Sequence, residues 1–314
     1  MTLFVITGAN GFIGRHLVAS LVADGKRVRA LTRTKSGVES TCDGVEWVMG
    51  DIADRATWDA LLEKQCVVIN LAYSNTLAAS TALDATAQMI ETCAQAEVAH
   101  LIHCSTVSVY GQVGETILTE QSVCNPLDDY GLVKLLVENT LIDNVKGRFP
   151  LTIIRPTAVF GEGGEALIKL LDELTRGVRF VNYLRSSMFG WRKTHLVPVE
   201  TVVAALRFIG DMPPPTRNDM FIVSDDDDPF NNFRNVERVL MNELKLPPYG
   251  IPRIPLPRFL LETLMRIMRR ANVNTQTEYR CDKLAGRGFV KPVKLKTALR
   301  RFAEKHKARG KSAS

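Results

Sequence analysis

Tyr130 and Lys134 stand four residues apart. In a helix that spacing puts both side chains on one face, so an ammonium can be held near a phenol. A phenol ordinarily titrates near 10, and a neighbouring cation favours the phenolate. That adjustment is what makes a tyrosine usable as an acid and base near neutrality. The pattern is common by chance and is often a surface pair, so its weight comes from what precedes it in the chain. There the sequence runs Cys104-Ser105-Thr106-Val107-Ser108-Val109-Tyr110-Gly111, rich in hydroxyls and placed after a strand-like run. Thr106 could donate to, or accept from, a substrate oxygen beside Tyr130; the plain alternative is a hydroxyl turn that closes the strand end.

A second set of residues suits a dinucleotide. Thr7-Gly8-Ala9-Asn10-Gly11-Phe12-Ile13-Gly14 spaces its glycines as G-x-x-G-x-x-G. Such a turn, set between a strand and a helix, lets backbone approach a pyrophosphate and offers free N–H groups to it. The pattern alone is weak and could be an ordinary tight turn, but both the strand and the helix are expected here. After the second strand an NAD-preferring site usually carries an acid for the ribose, whereas this chain has Thr32-Arg33-Thr34-Lys35. Arg33, backed by Lys35, could face a 2′-phosphate; a solvated basic turn is the alternative. Asp51-Ile52 follows the third strand, where an adenine amino group could be bound, or where an aspartate could cap a helix.

Apolar runs at 3–6, 27–31, 45–49, 67–71, 101–104 and 151–154 would carry these residues, with helix-length segments between most of them, the first at 13–23. Strands alternating with helices predict an α/β fold of the Rossmann type, a doubly wound parallel sheet with ligands at the carboxyl ends of its strands. Beyond Gly161 a helix is expected over 165–176, then irregular sequence rich in arginine and aromatics to 193. Two strands, 195–199 and 220–224, are expected to return to the sheet. The remainder reads as mostly helical, interrupted by Pro247, Pro248, Pro252, Pro255 and Pro257, which favour an extended arm. The expected division is a dinucleotide-binding domain of residues 1–160 plus 194–226, and a smaller, mostly helical substrate domain of 161–193 plus 227–314.

The composition fits a folded globular chain: 314 residues, 46% hydrophobic and 24% charged. It excludes a disordered or fibrous protein. A net charge of +6 first suggests nucleic acid or an anionic membrane as partner. However, residues 291–314 hold nine basic side chains and one acid, a net of +8, which leaves 6 − 8 = −2 for residues 1–290. Nucleic-acid binding is therefore not expected. Segment 258–270 reads as a basic amphipathic helix that packs on the substrate domain, with weak peripheral membrane contact as the alternative. Six scattered cysteines form no C-x-x-C pair and no metal-ligand spacing, so no metal is expected and a reduced, cytoplasmic setting is. No apolar run approaches the ~18 residues of a spanning helix.

Together these pieces resemble the extended short-chain dehydrogenases/reductases of the NAD(P)-dependent epimerase/dehydratase family. The matching segments are 7–14, Asp51-Ile52, Asn70-Leu71-Ala72, 105–111, 130–134 and Arg155-Pro156-Thr157-Ala158-Val159-Phe160-Gly161. They cover the first half densely and the second half loosely. The resemblance implies that Tyr130 is the general acid/base, that Lys134 orients the nicotinamide ribose and lowers the Tyr130 pKa, and that Thr106 bonds the reacting oxygen. It implies that Leu71, Ala72, Tyr73 and Pro156 line the cofactor. NADP is favoured by Arg33, with NAD the alternative. The implied activity is hydride transfer to a keto group, at C4 of a nucleotide-linked 4-keto sugar; the alternatives are a 4-epimerase with retained NAD, or a dinucleotide-binding subunit without turnover. Arg179, Arg185, Arg192 and Lys193 are candidates for the substrate diphosphate, or else ordinary surface. A homodimer is common in the family. Where members often write His-Val-x-Asp, this chain has Val197-Pro198-Val199-Glu200. His195 is therefore given no catalytic duty, since nothing near it in sequence would orient it.

Overall fold

Leu3–Thr7 (β1) is buried on both faces, as a strand must be when helices cover both sides of its sheet. A computed structural model describes residues 1–34, 44–73, 78–251, 263 and 277–312. Lys35, Cys42, Pro252, Pro255, Pro257 and, apart from Thr263, the expected helix at 258–270 lie outside the described residues. Beyond β1 the elements are α1 (Phe12–Ala23), β2 (Arg27–Thr32), β3 (Val45–Met49), α2 (Arg55–Leu61), β4 (Val67–Asn70), α3 (Ala79–Gln95), β5 (His100–Cys104), β6 (Ile117–Leu118), α4 (Asp129–Val145), β7 (Leu151–Pro156) and β8 (Ala158–Phe160). There follow α5 (Ile168–Arg176), α6 (Arg179–Phe189), β9 (Leu196–Pro198), α7 (Val199–Asp211), β10 (Asp219–Val223), α8 (Phe233–Glu243), β11 (Glu278–Tyr279), α9 (Asp282–Gly286) and α10 (Leu295–Ser312).

The chain divides into two compact units. The first comprises Met1–Tyr110, Cys124–Pro156 and Val202–Phe221. It is built on a seven-stranded parallel sheet of order β10-β7-β5-β4-β1-β2-β3. The chain leaves β1 toward β2 and β3, then returns to β4 on the other side of β1 and continues outward to β5 and β7. The crevice at the carboxyl ends of β1 and β4 is thus the switch point where such sheets take their ligands. Trp58, Leu61, Met89, Ile90, Val137 and Leu141 from the helices pack on Val5, Val68, Leu101 and Ile153 from the strands. A buried ion pair pins α4 to β7: Arg155 donates through Nη2 to Glu138 Oε2 at 2.5 Å, and its guanidinium lies 4.7 Å from the Tyr110 ring centre. One buried charge without the other would cost several kcal/mol, about 3–5, so the pair holds the helix that carries Tyr130 and Lys134 in register.

The second unit comprises Gly111–Val123, Thr157–Thr201 and Ile222–Ser314. These boundaries differ from the sequence expectation because of two short parallel pairings. β8 pairs with β9, so 195–199 does not return to the main sheet, while β6 pairs with β11 and draws 111–123 into this unit. The strand expected at 220–224 does join the sheet, as its edge. Phe160, Leu171, Leu196, Val236, Leu240, Leu299 and Phe302 form the core of the second unit. Residues 179–189, expected to be irregular, are helical. Their buried side is polar: Asn182 donates to the Glu173 carbonyl at 2.6 Å and Ser186 donates to Glu237, while Phe180, Val181 and Leu184 are exposed. Hydropathy cannot signal a helix whose polar face points inward.

Candidate active site

Gly8 has φ +69°, and a Cβ there would stand 2.7 Å from the Leu71 carbonyl carbon. A Cβ on Gly14 would stand 2.2 Å from the Gly8 carbonyl oxygen, so α1 can sit this close to the turn only as glycine. Gly11 caps α1 with backbone alone; no side chain takes its first N–H groups and no acid lies in its first turn. The start of α1 therefore keeps free donors and the positive end of the helix dipole, which suits a pyrophosphate.

Beside this turn lies a cleft of about 440 Å³ lined by Gly8, Asn10, Gly11, Arg33, Asp51, Ile52, Leu71, Ala72 and Tyr73, among others. The structure thus brings together most of the residues expected to hold a dinucleotide. Phe12, Ile13, Gly14 and Pro156 are not in its wall: Phe12 packs edge-on against His16, Gly14 is buried under the turn, and Pro156 ends β7 in the core. Asn10 donates to Thr32 Oγ1 at 2.9 Å, tying the turn to the end of β2. Asp51 is not a helix cap. That task falls to Asp54, which accepts from the Ala56 N–H, while Asp51 accepts from Ala53 N–H at 2.9 Å at the cleft wall. Among the described residues Arg33 makes no ion pair, and the end of β2 carries no acid.

Tyr130 and Lys134 occupy the first turns of α4, whose cap is Asp128 accepting from Gly131 N–H at 2.7 Å. The Lys134 ammonium is buried, donates to the Cys104 carbonyl at 3.0 Å and lies 4.7 Å from the Tyr73 ring centre. Tyr73 in turn meets Tyr130 edge-on, with ring centres 4.9 Å apart. Thr106 is hydrogen-bonded to the Tyr130 phenol and also accepts from Ser108 N–H at 3.2 Å, closing the turn at 107–109. The turn-closing reading of Thr106 is thus observed. Although the Tyr130 residue is 37% exposed, burial of its phenol end pushes the pKa up to about 12; the Cys104 thiol adds to this, and the Thr106 hydrogen bond opposes it. The Lys134 ammonium meanwhile donates to the Cys104 carbonyl and faces the Tyr73 ring.

Behind the site runs a buried chain that residue spacing did not single out. Thr7 donates to Asn70 Oδ1 at 2.6 Å, and Asn70 Nδ2 meets His103 Nδ1 at 3.1 Å. Ala72 N–H reaches the same Asn70 oxygen at 3.3 Å, so the chain fixes the loop that lines the cleft. Burial, aided by the Lys134 charge, holds the His103 pKa far below its ordinary value, which keeps the ring neutral. Polar residues closing two apolar strands, Asn70 and His103, were the available sequence signal.

The four cations expected to hold a diphosphate do not converge as one set. Arg179 donates to the Pro247 and Pro248 carbonyls, Arg185 pairs with Glu173, and Lys193 donates to the Asp226 carbonyl; Arg192 is also engaged. His195, by contrast, has the orienting partner that its sequence neighbourhood lacks. Its Nδ1 lies 2.6 Å from Asp226 Oδ2.

The family model for the NAD dependent epimerase/dehydratase family matches residues 4–185, more than half of the chain. A UDP-glucose 4-epimerase from Vibrio cholerae is 28% identical over 243 residues, 71% of each chain. A 4-hydroxy-2-methyl-3-oxo-4-farnesyl-3,4-dihydroquinoline-1-oxide ketoreductase from Stigmatella aurantiaca is 24% identical over 56% of this chain and 55% of that protein. Among solved structures, a dTDP-glucose 4,6-dehydratase from Bacillus anthracis in complex with NAD superposes with a TM-score of 0.75 at 14% identity, covering 99% of this chain and 98% of that one. MoeE5 in complex with UDP-glucuronic acid and NAD gives 0.71 at 21%, covering 98% and 99%. The chain belongs to the NAD-dependent epimerase/dehydratase family, enzymes of the extended short-chain dehydrogenase/reductase type.

Proposed function

We propose that this enzyme reduces a keto group, with Tyr130 as proton donor, on a nucleotide-linked 4-keto sugar. The observation that carries the reading is the placement of Tyr130 beside Thr106 and on one helix with Lys134, with burial favouring the neutral phenol. Reduction needs an acid at that oxygen, and an epimerase needs the same group first as base and then as acid, so the cofactor separates the two readings. The glycine turn and the cleft beside it fit a dinucleotide, for which Gly8, Asn10, Gly11, Asp51, Ile52, Leu71 and Ala72 form the walls. A bound nicotinamide would supply the hydride. The chain's own part is to hold the substrate oxygen between Thr106 and Tyr130, to deliver the phenol proton to it, and to place Lys134 beside the ribose.

Arg33 at the cleft, with no acid at the end of β2, supports NADPH over NADH. The competing reading, a 4-epimerase that retains NAD, is favoured by the epimerase relative and by solved neighbours that carry NAD. The dinucleotide that co-purifies decides between them. A retained NAD means epimerase or dehydratase, while an empty site that binds NADPH more tightly than NADH means reductase. Tyr130→Phe is expected to cut turnover by roughly 10²–10⁴-fold, leaving dinucleotide affinity within about twofold. Unchanged turnover in that variant would remove Tyr130 from the chemistry.

A further inference from the structure

We propose that His195 and Asp226 form a ligand-binding dyad in the second unit, in which His195 Nε2 accepts a hydrogen bond from a sugar hydroxyl of the substrate. The choice of a sugar nucleotide rests on the function proposed above; the dyad itself rests on its own geometry. Asp226 is fully buried, and its carboxylate is held by three donors: His195 Nδ1 at 2.6 Å and Tyr279 N–H at 3.0 Å on Oδ2, and Asn231 Nδ2 at 3.2 Å on Oδ1. A carboxylate oxygen is the acceptor in each of these contacts. Nδ1 of His195 is therefore the donor in this contact, and in the Nδ1–H tautomer Nε2 carries the lone pair.

That lone pair is available. Among the described residues Nε2 has no partner, and the side chain is 17% exposed, so it is not sealed in. The ring is held from the side by Tyr279, edge-on with centres 5.0 Å apart. The backbone is held as well. His195 has φ +52°, a conformation that side chains other than Asn and Gly seldom adopt. It is fixed by Ala158 N–H donating to the His195 carbonyl at 2.8 Å. On either side of it, Thr194 Oγ1 and Leu196 N–H both donate to Asn231 Oδ1. A strained histidine with a buried orienting acid, a fixed ring plane and a free acceptor nitrogen is arranged for a ligand.

The charges around it select which part of the ligand. Asp225, Asp227 and Asp228 flank Asp226 in the chain and Glu278 precedes Tyr279, against Lys193, Lys291 and Arg280, the last 3.7 Å from Glu278. Both lysines are already paired: Lys193 stands 3.8 Å from Glu278, and Lys291 stands 3.1 Å from Asp225 and 2.5 Å from Asp227. An acidic surround with its cations committed repels phosphate and favours a neutral hydroxyl donor.

The test uses the full chain with ¹⁵N-labelled histidine and UDP-glucose as the probe. Long-range ¹⁵N–¹H spectra are expected to show His195 as the Nδ1–H tautomer, with its Nε2 resonance moving as UDP-glucose is added. His195→Asn removes the imidazole and suits the left-handed backbone. It is expected to weaken UDP-glucose about tenfold, the loss of one strong hydrogen bond, while leaving UDP and dinucleotide affinities and thermal stability unchanged. The proposal is overturned by an Nε2–H tautomer, by an Nε2 resonance that stays still at saturating UDP-glucose, by equal losses for UDP and UDP-glucose in the variant, or by a wild-type protein that does not bind UDP-glucose. A Tyr130 that proves essential while His195 is silent removes this inference alone, and the reverse outcome removes only the catalytic reading.

Discussion

Tyr130 shows how far a residue's chemistry depends on where its polar end is buried. Four-residue spacing correctly places Lys134 on the same helix, but the ammonium is spent on a carbonyl and a ring, and the phenol stays an acid. The buried histidines follow the same rule with a consequence for stability. His100 is 1% exposed, its Nε2 lies 2.8 Å from Thr152 Oγ1, and burial lowers its pKa to about 4. The unfolded chain takes up this proton near 6.5 and the folded chain only near 4. Between those values the unfolded state binds more protons, so stability falls as pH drops from 6.5 to 4, on the order of 3 kcal/mol from this residue. Urea unfolding at a series of pH values should show the loss, and His100→Gln should flatten it. A slope unchanged by the substitution would mean that His100 is not the group responsible.

At the scale of elements, the glycine turn is a packing solution as much as a binding one. The contact of α1 with the turn leaves no space at Gly14, where a Cβ meets three backbone atoms of Gly8 and Ala9 within 2.8 Å. Gly14→Ala must push α1 away from β1. We expect it to cost about 1–3 kcal/mol, the range for overpacking a filled site, and to abolish dinucleotide binding. Thermal melts and NADPH fluorescence titration check both effects; normal binding in a folded variant would show that the cradle tolerates the shift. Gly11→Ala, whose Cβ meets one carbonyl at 3.1 Å, should be milder. The doubly wound sheet was legible because each strand is a run of apolar residues between turn signals. Helix α6 was not, since its buried face is Asn182, Ser186 and Ser187.

For the whole molecule, the positive charge proves to belong to a structural element. The basic stretch from Lys291 onward contains α10, whose Leu295, Ala298, Leu299, Phe302 and Ala303 lie in the second unit's core. Its cations are partly paired within the same unit: Arg300 with Glu243 at 3.2 Å and Lys305 with Glu162 at 2.5 Å. Removing the residues after Arg301 would therefore take Phe302 and Ala303 out of that core. We expect a loss of about 3–5 kcal/mol, the cost of emptying a large aromatic site, seen as a lower denaturant midpoint. An unchanged midpoint would mean that the end of α10 contributes no packing. No described helix is long and apolar enough to cross a membrane.

The sequence by itself determined the strands of the main sheet and the residues that line the cleft beside the glycine turn. Short-range rules suffice there: apolar runs form the strands, glycines permit the turn, and the residues that line the cleft follow the ends of successive strands. Tertiary structure decided whatever depends on partners far apart in the chain. It buried the Tyr130 phenol, which raises its pKa. It tied Arg179 and Arg185 to partners elsewhere in the second unit, and it paired β8 with β9. It also gave His195 its orienting acid, 31 residues away, across a fold that no local pattern records. Side chains meet through space, and only packing fixes which of them do.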